Sequence, residues 1–489
     1  MSIKNLRDEM NAKQTLKDIK VLKEEPLCFI LNYTLHEKIS VHYYNPRVLD
    51  ILKNLENSSI KLSLNSIKKE IISGPWGFQL HTTDYVPEDF PGSVWLLQIV
   101  NLGMFGNIIK TKYDKFISKE KDEELKSSRV KKGDIIIAKT GAIDRCVILE
   151  KEINANLNQA LGIIRLKKEY DHTRIIPKFI HEFLNSKYGV SQLMRIGGYR
   201  MGQSGLSLAE IGSIILLLPS EKKQLKILNR VEELKHKSKN NIQEYKKIIK
   251  GIKNIISEKL KIKLPIESNK EQIFPCDLPN NPKKRIDVLF NNPYRDELIN
   301  VLKKYSYKKL EEITTIEEKG EIPPSEFYRL VDLIDISEDL GEVVNIKEVP
   351  ILKSTKTIFR KDEILVSKLQ PNKGKIILIN DETDGCVGSS ELVPLRLISE
   401  DVLLEYLWII LRSDYVLKQW KYEITGSSRE RIGKTELRNT IIPIPKKNIQ
   451  QEIINKVKEK VKQAKKLLDE YETNKQKAKQ VFLEMLFKA

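Results

Sequence analysis

Residues able to support catalysis are dispersed along this chain and form no motif for a common reaction. No HExxH pair and no other pair at metal-ligand spacing occurs among the histidines, which are His36, His42, His81, His172, His181 and His236. No glycine-rich phosphate loop follows a predicted strand, and no Gly-x-Ser-x-Gly nucleophile elbow occurs. The sequence therefore predicts no catalytic residues, no bound metal and no cofactor.

Two short segments contain residue types used in catalysis. Asn291-Asn-Pro-Tyr294 is similar to the Asn/Asp-Pro-Pro-aromatic motif of methyltransferases that modify amino groups in DNA, but the second proline is missing. It also aligns with Tyr43-Tyr-Asn-Pro46, so we interpret it as a structural element that occurs twice. Glu317-Glu-Lys319 has the residue types of a nuclease centre. Glu and Lys are so frequent in this chain that such a combination is expected by chance.

Glycine-rich loops with polar and aromatic side chains instead favour nucleic-acid recognition. They span residues 74–81 and 197–205, with residues 425–431 at the matching place in the second half. Arg can bind guanine, and Gln adenine, through two hydrogen bonds, while Ser and backbone N–H groups suit phosphates. Ordinary tight turns with solvated polar residues are the alternative. The predicted DNA-binding residues are Trp76, Gln79, His81, Lys139, Thr140, Tyr199, Arg200, Gln203 and Ser204, and then Lys368, Gln370, Lys373, Ser427, Ser428, Arg429 and Arg431.

These loops belong to a long internal repeat. Pro219 and Pro445, each at the end of an apolar run and followed by a Lys/Glu-rich segment, are separated by nearly half of the chain. Upstream, the strand-like segments that end at Lys139 and Lys368 match at almost the same separation. A period this long excludes a solenoid of short units. It predicts two copies of one large module, each followed by a long helix.

The composition favours a soluble protein with an anionic partner. The chain has 489 residues, enough for two or three domains with substantial cores, and its net charge is +18. Such an excess of cations favours binding to nucleic-acid phosphates, because this releases condensed counterions. A generally Lys-rich proteome would produce the same surface and is the alternative.

The sequence also predicts a cytoplasmic protein without a membrane partner. Its cysteines, Cys28, Cys146, Cys276 and Cys386, are far apart and form no CxxC motif, so we interpret them as free thiols in a reducing compartment. No apolar run approaches the roughly 18 residues that a membrane-spanning helix needs. The first residues contain no signal-peptide core.

Apolar patterns divide the chain into six segments. Short β-branched runs predict strands at residues 134–139, 146–149, 161–166, 363–367 and 375–379, and helical spacing predicts helices at 177–185 and 403–411. Four prolines within residues 261–284 predict a linker. The predicted segments are a lead-in (1–38), a first module (39–219), a first long helix (220–260), the linker (261–284), a second module (285–445) and a second long helix (446–489).

The two long helices share one heptad register. Their apolar seams are Leu228, Val231, Ile242, Tyr245, Ile249 and Ile252 in the first helix, and Ile454, Val457, Val461, Ala464, Leu468, Tyr471, Ala478, Phe482 and Met485 in the second. Lys235 and Ser238 interrupt the first seam. A helix of forty residues spans about 60 Å and, with a single apolar stripe, needs a partner helix. We predict that the two helices pair with each other; packing on a globular core is the alternative.

The order of these motifs resembles the specificity subunit of type I restriction–modification systems. The resemblance covers nearly the whole chain beyond the lead-in, and it is carried by Ile39-Ser-Val-His-Tyr-Tyr-Asn-Pro46, Gly74-Pro-Trp-Gly-Phe-Gln-Leu-His81, Lys132-Gly-Asp-Ile-Ile-Ile-Ala-Lys-Thr-Gly141, Leu218-Pro-Ser-Glu-Lys-Lys-Gln224 and Ile444-Pro-Lys-Lys-Asn-Ile-Gln450. It implies an α+β fold in which two mixed α/β target-recognition domains are separated by two long helices that form an antiparallel coiled coil, with a pseudo-two-fold internal repeat. The second copy departs from the first, because Lys368-Leu-Gln370 lacks the Thr-Gly of Lys139-Thr-Gly141.

The same resemblance implies a non-catalytic subunit that reads a bipartite target in double-stranded DNA, one half per domain. The helices would set the spacer between the half-sites. The implied partners are two methyltransferase subunits, which dock on the helices, and restriction/translocase subunits. Two alternatives remain: a recognition subunit of another modification system, with a fused nuclease–methyltransferase partner, and a protein-binding scaffold that does not bind DNA.

Overall fold

The computed structural model describes residues 51–488 except 54, 56, 76, 104–105, 198, 201–202, 268–284, 286, 317–320, 353 and 427–428. The predicted lead-in, most of the predicted linker, Trp76, Ser427 and Ser428 lie outside the described residues. The chain divides into two compact units, Met1–Lys237 with Thr473–Ala489, and Ser238–Glu472. The first unit contains the first module, the second unit contains the second module, and both long helices contribute to each unit.

The first module consists of short strands and helices. Its strands are β1 (Lys61–Ser63), β2 (Lys68–Ser73), β3 (Tyr85–Val86), β4 (Val94–Leu97), β5 (Lys115–Ile117), β6 (Ile135–Ala138), β7 (Cys146–Ile148), β8 (Ala155–Leu157), β9 (Leu161–Leu166), β10 (Glu169–Tyr170), β11 (Thr173–Arg174), β12 (Tyr199–Arg200), β13 (Gln203–Ser204) and β14 (Ile215–Leu217). Its helices are α1 (Leu64–Ile67), α2 (Lys119–Glu124), α3 (Pro177–Leu184), α4 (Lys187–Ile196) and α5 (Leu208–Gly212). A main sheet has the order β2-β9-β6-β7, and a side sheet has the order β3-β5-β4-β8 with β4 and β8 parallel.

The first long helix, α6, is Glu221–Leu260, and the second module follows it. The helices of that module are α7 (Pro293–Leu302), α8 (Leu310–Ile313), α9 (Leu404–Leu411), α10 (Asp414–Glu423) and α11 (Lys434–Arg438). Its strands are β15 (Tyr307–Lys309), β16 (Thr314–Ile316), β17 (Tyr328–Val331), β18 (Lys347–Val349), β19 (Lys356–Ile358), β20 (Glu363–Ser367), β21 (Ile376–Leu378), β22 (Val387–Ser389), β23 (Leu392–Leu397) and β24 (Ile441–Pro443). The second long helix, α12, is Lys447–Phe487.

The main sheet repeats closely in the second module, whereas the side sheet repeats only in part. The second main sheet has the order β16-β23-β20-β21, and β15 pairs with β24 as β1 pairs with β14. The second side sheet has the order β18-β17-β22-β19, so its parallel pair β17–β22 matches β4–β8. The fourth strand lies on opposite edges, since β3 pairs with β5 and β19 pairs with β22.

The predicted central strands are confirmed because their apolar runs are buried on both faces. In β6, Ile135 and Ile137 pack in the apolar cluster that includes the module's helices, while Ile136 packs in a second cluster with Leu97 and Leu157 of the side sheet. Successive side chains of a strand point to opposite faces, so a strand between two cores is apolar throughout. The same alternation occurs in β20.

Each unit contains an antiparallel pair of segments from α6 and α12. In the first unit, Leu228 and Val231 near the start of α6 share an apolar cluster with Phe482 near the end of α12. In the second unit, Ile256 near the end of α6 shares a cluster with Ile454 near the start of α12. The predicted pairing of the two helices is confirmed, since the start of one packs with the end of the other.

The residues that interrupt the predicted seam have polar partners. The Lys235 ammonium group binds the carboxylate of Glu182 on α3. The Ser238 hydroxyl donates to the backbone oxygen of Tyr471 at 3.1 Å. Each residue that interrupts the apolar seam therefore forms a polar contact, Lys235 within the first unit and Ser238 within the second.

The apparent methyltransferase motif is the start of a helix. The Asn292 side chain accepts a hydrogen bond from the Tyr294 N–H at 3.0 Å, and Pro293 is the first residue of α7. Asn is favoured as an N-cap and Pro as the first helical residue. The structure thus supports the interpretation of Asn291-Asn-Pro-Tyr294 as a structural element, although its counterpart at residues 43–46 lies outside the described residues.

Candidate nucleic-acid interface

Two predicted loops of the first module lie beside Lys139 at the end of β6, and we call this place the first recognition edge. It comprises Lys139 and Thr140, the strands β12 and β13, and residues 74–75 and 77–81. The Lys139 N–H donates to the Ala160 oxygen at 2.8 Å, and the Lys139 oxygen accepts from the Leu206 N–H at 2.7 Å. Thr140 and Gly205 form an isolated antiparallel bridge. Backbone hydrogen bonds therefore bring together segments that are far apart in the sequence.

Gly74, at the start of this loop, is held against the end of β8 by close backbone contacts. The Gly74 N–H donates to the Leu161 oxygen at 2.9 Å. A Cβ on Gly74 would lie 1.9 Å from the Asn158 oxygen, so only glycine fits there. The Lys139 ammonium group donates to the Ser73 hydroxyl. Burial lowers the pKa of Lys139, whose predicted role in DNA binding stays a prediction.

Two further predicted residues of the first edge lie at the surface. Gln79 and His81 are exposed, and the His81 N–H donates to the Asp84 carboxylate at 2.6 Å. Tyr199 and Arg200 pair through their backbones with Ser204 and Gln203. The side chains of these four hairpin residues lie outside the described part of the structure, so their contacts with DNA remain predictions.

A second recognition edge has the same backbone scaffold. The Lys368 N–H donates to the Glu391 oxygen at 2.9 Å, and the Lys368 oxygen accepts from the Ile432 N–H at 3.1 Å. Leu369 and Arg431 form the bridge that corresponds to the bridge of the first edge. Thr140 and Leu369 have the same separation in the sequence as Lys139 and Lys368. Gly205 and Arg431 have the same separation as Pro219 and Pro445.

The side chains of the second edge are different. The Arg431 guanidinium binds the Glu391 carboxylate with Nη2···Oε1 at 2.9 Å, and this hydrogen bond raises the pKa of Arg431. Gln370 has a left-handed backbone with φ of 47°, and its N–H donates to the Glu430 oxygen at 2.9 Å. Lys373 and Arg429 are exposed. The two edges therefore present different chemistry on equivalent scaffolds.

Two buried glutamines, not predicted as functional, anchor the long helices to the modules. Gln224 and Gln450 are 0% exposed. The Gln224 amide bonds to the Ile176 N–H at 3.1 Å and to the oxygens of Arg174 at 3.0 Å and Pro219 at 2.9 Å. The Gln450 amide bonds to the Leu403 N–H at 2.9 Å and to the oxygens of Asp401 at 2.9 Å and Pro445 at 2.8 Å. Their separation in the sequence equals that of Pro219 and Pro445, and this was the signal that could have identified them.

Within the described residues, no group of three or more His, Cys, Asp or Glu could hold a metal ion. Burial raises the pKa of the free thiols Cys146 and Cys386, which disfavours a reactive thiolate. Among the helices that the structure describes, none is long and apolar enough to cross a membrane.

Comparison with known proteins gives a family match in the second half of the chain. Residues 302–470 match the model of the type I restriction modification DNA specificity domain. A segment of 118 residues is 35% identical to the type I restriction enzyme EcoBI specificity subunit of Escherichia coli. It covers 24% of this chain and 24% of that relative, so the match spans about a quarter of the relative's length.

Solved structures with a similar course of the chain include two S subunits. The S subunit of a type I restriction-modification system from M. genitalium is 12% identical, with 88% of this chain and 98% of that chain covered and a TM-score of 0.43. The HsdS subunit from Thermoanaerobacter tengcongensis is 14% identical, with 87% and 96% covered and a TM-score of 0.33. At these TM-scores the likenesses add nothing to the sequence match.

Proposed function

We propose that this protein is a specificity subunit of a type I restriction–modification system and that it recognises a bipartite sequence in double-stranded DNA, as the family match in its second half supports. One module reads each half of the target. The chain itself catalyses no reaction, and methylation and cleavage belong to partner subunits. Its partners are two methyltransferase subunits, docked on the long helices, and restriction/translocase subunits.

The pair of recognition edges carries this proposal. Lys139 and Lys368 occupy equivalent places, and the loop that follows each is tied down by the same backbone hydrogen bonds. The side chains around them differ, since Gly205 in one edge corresponds to Arg431 in the other. A shared scaffold with different side chains is expected of two modules that bind one kind of ligand but read different bases, because base contacts specify a sequence.

Exchange of one module tests the proposal directly. Residues 61–217 are replaced with the corresponding module of another member of the family, and the chain is assembled with its methyltransferase subunits. Sequencing around the methylated bases in a DNA library should show one half of the target changed and the other half retained. The reciprocal exchange of residues 307–443 is the matched control and should change the other half only. A change in both halves after either exchange would contradict the modular proposal.

The same library measures the role of the long helices. Removing one heptad from each helix, residues 238–244 and 467–473, shortens each by about 10 Å at roughly 1.5 Å per residue. We expect a spacer shorter by about three base pairs, at roughly 3.4 Å per base pair, with both half-sites unchanged. An unchanged spacer in an active complex would show that the helices do not set it.

A further inference from the structure

The segment at residues 110–115 lies at the same end of the first side sheet as the first recognition edge. Lys115 begins β5 and pairs with Leu96 near the end of β4. Because β4 and β8 are parallel, their carboxyl ends lie at one end of the sheet, and the Asn158 N–H donates to the Leu97 oxygen there at 3.0 Å. A Cβ on Gly141, next to Thr140, would lie 3.6 Å from Ile99 just beyond β4.

Three lysines of the 110–115 segment stand over aromatic rings. The Lys115 ammonium group lies 4.5 Å from the centre of the Tyr85 ring, and that of Lys112 lies 5.1 Å from the Tyr113 ring. The Lys110 ammonium group lies 5.8 Å from the Trp95 ring. Contacts of this kind hold an ammonium group at a surface and leave its N–H donors available. Tyr113 is 64% exposed, so this surface is open to solvent.

The carboxylate of the segment is engaged by neutral groups. Asp114 accepts hydrogen bonds from the Asn101 amide at 2.6 Å and from the Thr111 hydroxyl at 2.9 Å. Lys110 forms an ion pair with Glu88, and both side chains are more than half exposed. Among the described residues, no carboxylate forms an ion pair with Lys112 or Lys115. The segment therefore presents at least two ammonium groups without neutralisation from the described part of the chain.

The equivalent lysine of the second module is neutralised. Lys347 pairs with Leu330 across β17 and β18, as Lys115 pairs with Leu96. Its ammonium group lies 3.0 Å from the Asp332 carboxylate and 2.9 Å from the Asp335 carboxylate.

The turn that follows β4 in the first module, and the equivalent turn that follows β17 in the second, explain this difference between the two lysines. Gln98 and Asn101 begin and end that turn in the first module, with a hydrogen bond of 2.9 Å from the Gln98 N–H to Asn101. Asp332 and Asp335 do so in the second module, with an equivalent hydrogen bond of 3.1 Å. Two amides in one module are thus two carboxylates in the other. The whole modules differ in the same sense, with 25 Lys and Arg against 19 Asp and Glu in residues 39–219, and 24 against 28 in residues 285–445.

We infer that the 110–115 segment binds phosphates of the DNA backbone, and that the second module lacks this contact because Asp332 and Asp335 neutralise Lys347. This inference rests on the proposed recognition of DNA by the chain. Lysines that replace counterions at phosphates give an affinity that falls as salt rises, without dependence on base sequence. The first module therefore supplies more of the salt-dependent affinity than the second.

The salt dependence of binding tests this inference in the assembled complex. The dissociation constant for a duplex that contains the target is measured between about 50 and 200 mM salt, the range over which phosphate contacts weaken strongly. For the double variant Lys112→Ala/Lys115→Ala, the slope of log affinity against log salt should become shallower by about 2, at roughly 0.9 per phosphate contact. The methylated sequence should not change, because phosphate contacts do not read bases.

Two matched variants separate a phosphate contact from a general effect of charge or folding. Lys131 and Lys132 are exposed at the opposite end of β6 from Lys139, and Lys131→Ala/Lys132→Ala should keep the original slope. Lys112→Arg/Lys115→Arg retains both charges and should also keep it. In the second module, Asp332→Asn removes one partner of Lys347 and should make the slope steeper by up to about 1.

The outcomes distinguish the inference from the proposed function. If the unaltered complex shows no salt-dependent binding of duplex DNA, the proposed function itself is wrong. If it binds and methylates DNA but Lys112→Ala/Lys115→Ala keeps the original slope, only the inference is wrong. A changed methylation sequence in that variant would also overturn the inference, because the lysines would then contact bases.

Discussion

At one equivalent place, the first module contacts a long helix through charged side chains and the second module through apolar side chains. In the first unit, Lys235 of α6 binds the Glu182 carboxylate, and His181 Nδ1 lies 3.4 Å from the same carboxylate. In the second unit, the matching places of the repeat are occupied by Ile409 and Val461. Both belong to an apolar cluster that includes Val457 of α12. A charged contact in one copy is thus an apolar contact in the other.

The comparison shows which of the contacts between a module and the long helices must stay polar in both copies. A buried ion pair can be exchanged for packed apolar side chains without loss of stability, because desolvation offsets much of its attraction. The buried amides of Gln224 and Gln450 are kept in both copies. Backbone N–H and C=O groups cannot be removed by substitution, so their hydrogen-bond partner has to remain. We therefore expect the glutamines to contribute equally, and the charged contact to affect one unit only.

Loss of either buried glutamine should have the largest effect. Gln224→Leu leaves one N–H and two oxygens of the first module without their partner, and Gln450→Leu does the same in the second. At roughly 1–3 kcal/mol for each buried unsatisfied group, the expected loss is on the order of 4 kcal/mol in the unit concerned. Amide hydrogen exchange of each unit measures it, because exchange resolves the stability of separate regions.

A neighbouring glutamine provides the control. Gln451 is exposed and bonds only to Asn455 one turn along α12 among its described contacts, so Gln451→Leu should change stability by less than about 0.5 kcal/mol. A large loss of stability for Gln224→Leu combined with no loss for Gln450→Leu would contradict the expectation that the two glutamines contribute equally.

The second largest effect should be a difference between the two units in how their stability depends on low pH. Burial raises the pKa of Glu182, but the neighbouring His181 and the charge of Lys235 outweigh it and bring the pKa to about 2, below the ordinary value of 4.5. The folded state thus has the lower pKa. Its contribution to stability, on the order of 3 kcal/mol, is complete above pH 4.5 and is lost as the pH falls towards 2. Hydrogen exchange between these pH values should show the first unit losing this stability.

Substitution of the carboxylate sharpens this test. Glu182→Gln removes the titrating group, so the first unit should be less stable at neutral pH and should depend less on pH below 4.5. Glu405→Gln alters an exposed ion pair with Lys458 in the second unit and is the matched control. If Glu182→Gln left the pH dependence of the first unit unchanged, the lowered pKa would be contradicted.

The sequence was sufficient for the central strands and the long helices, but not for the side sheets. The strand at residues 161–166 is marked by a β-branched apolar run and the helix at residues 221–260 by an apolar period, and both occur as predicted. Strands such as β3, with two residues, are too short to show a period. The pairing of Lys347 with Asp335 depends on which strand lies beside the turn, and this is fixed by tertiary structure. Charge counts along the chain therefore could not identify the lysines that remain unneutralised.

The recognition edges should show the smallest change in stability. Arg431 replaces the glycine of the first edge, and its pair with Glu391 is partly exposed, at 41% and 23% of the two side chains. Partly exposed ion pairs contribute little, so Arg431→Gln should lower the stability of the second unit only slightly. Arg429→Gln, two residues earlier and exposed, is the control and should cost nothing measurable. Arg431 is predicted to bind DNA; if its contact is with a base, the same variant relaxes the methylated sequence at one half-site and leaves the other intact. A loss of several kcal/mol would instead show that Arg431 maintains the scaffold of the second edge, a role that Gly205 cannot have in the first.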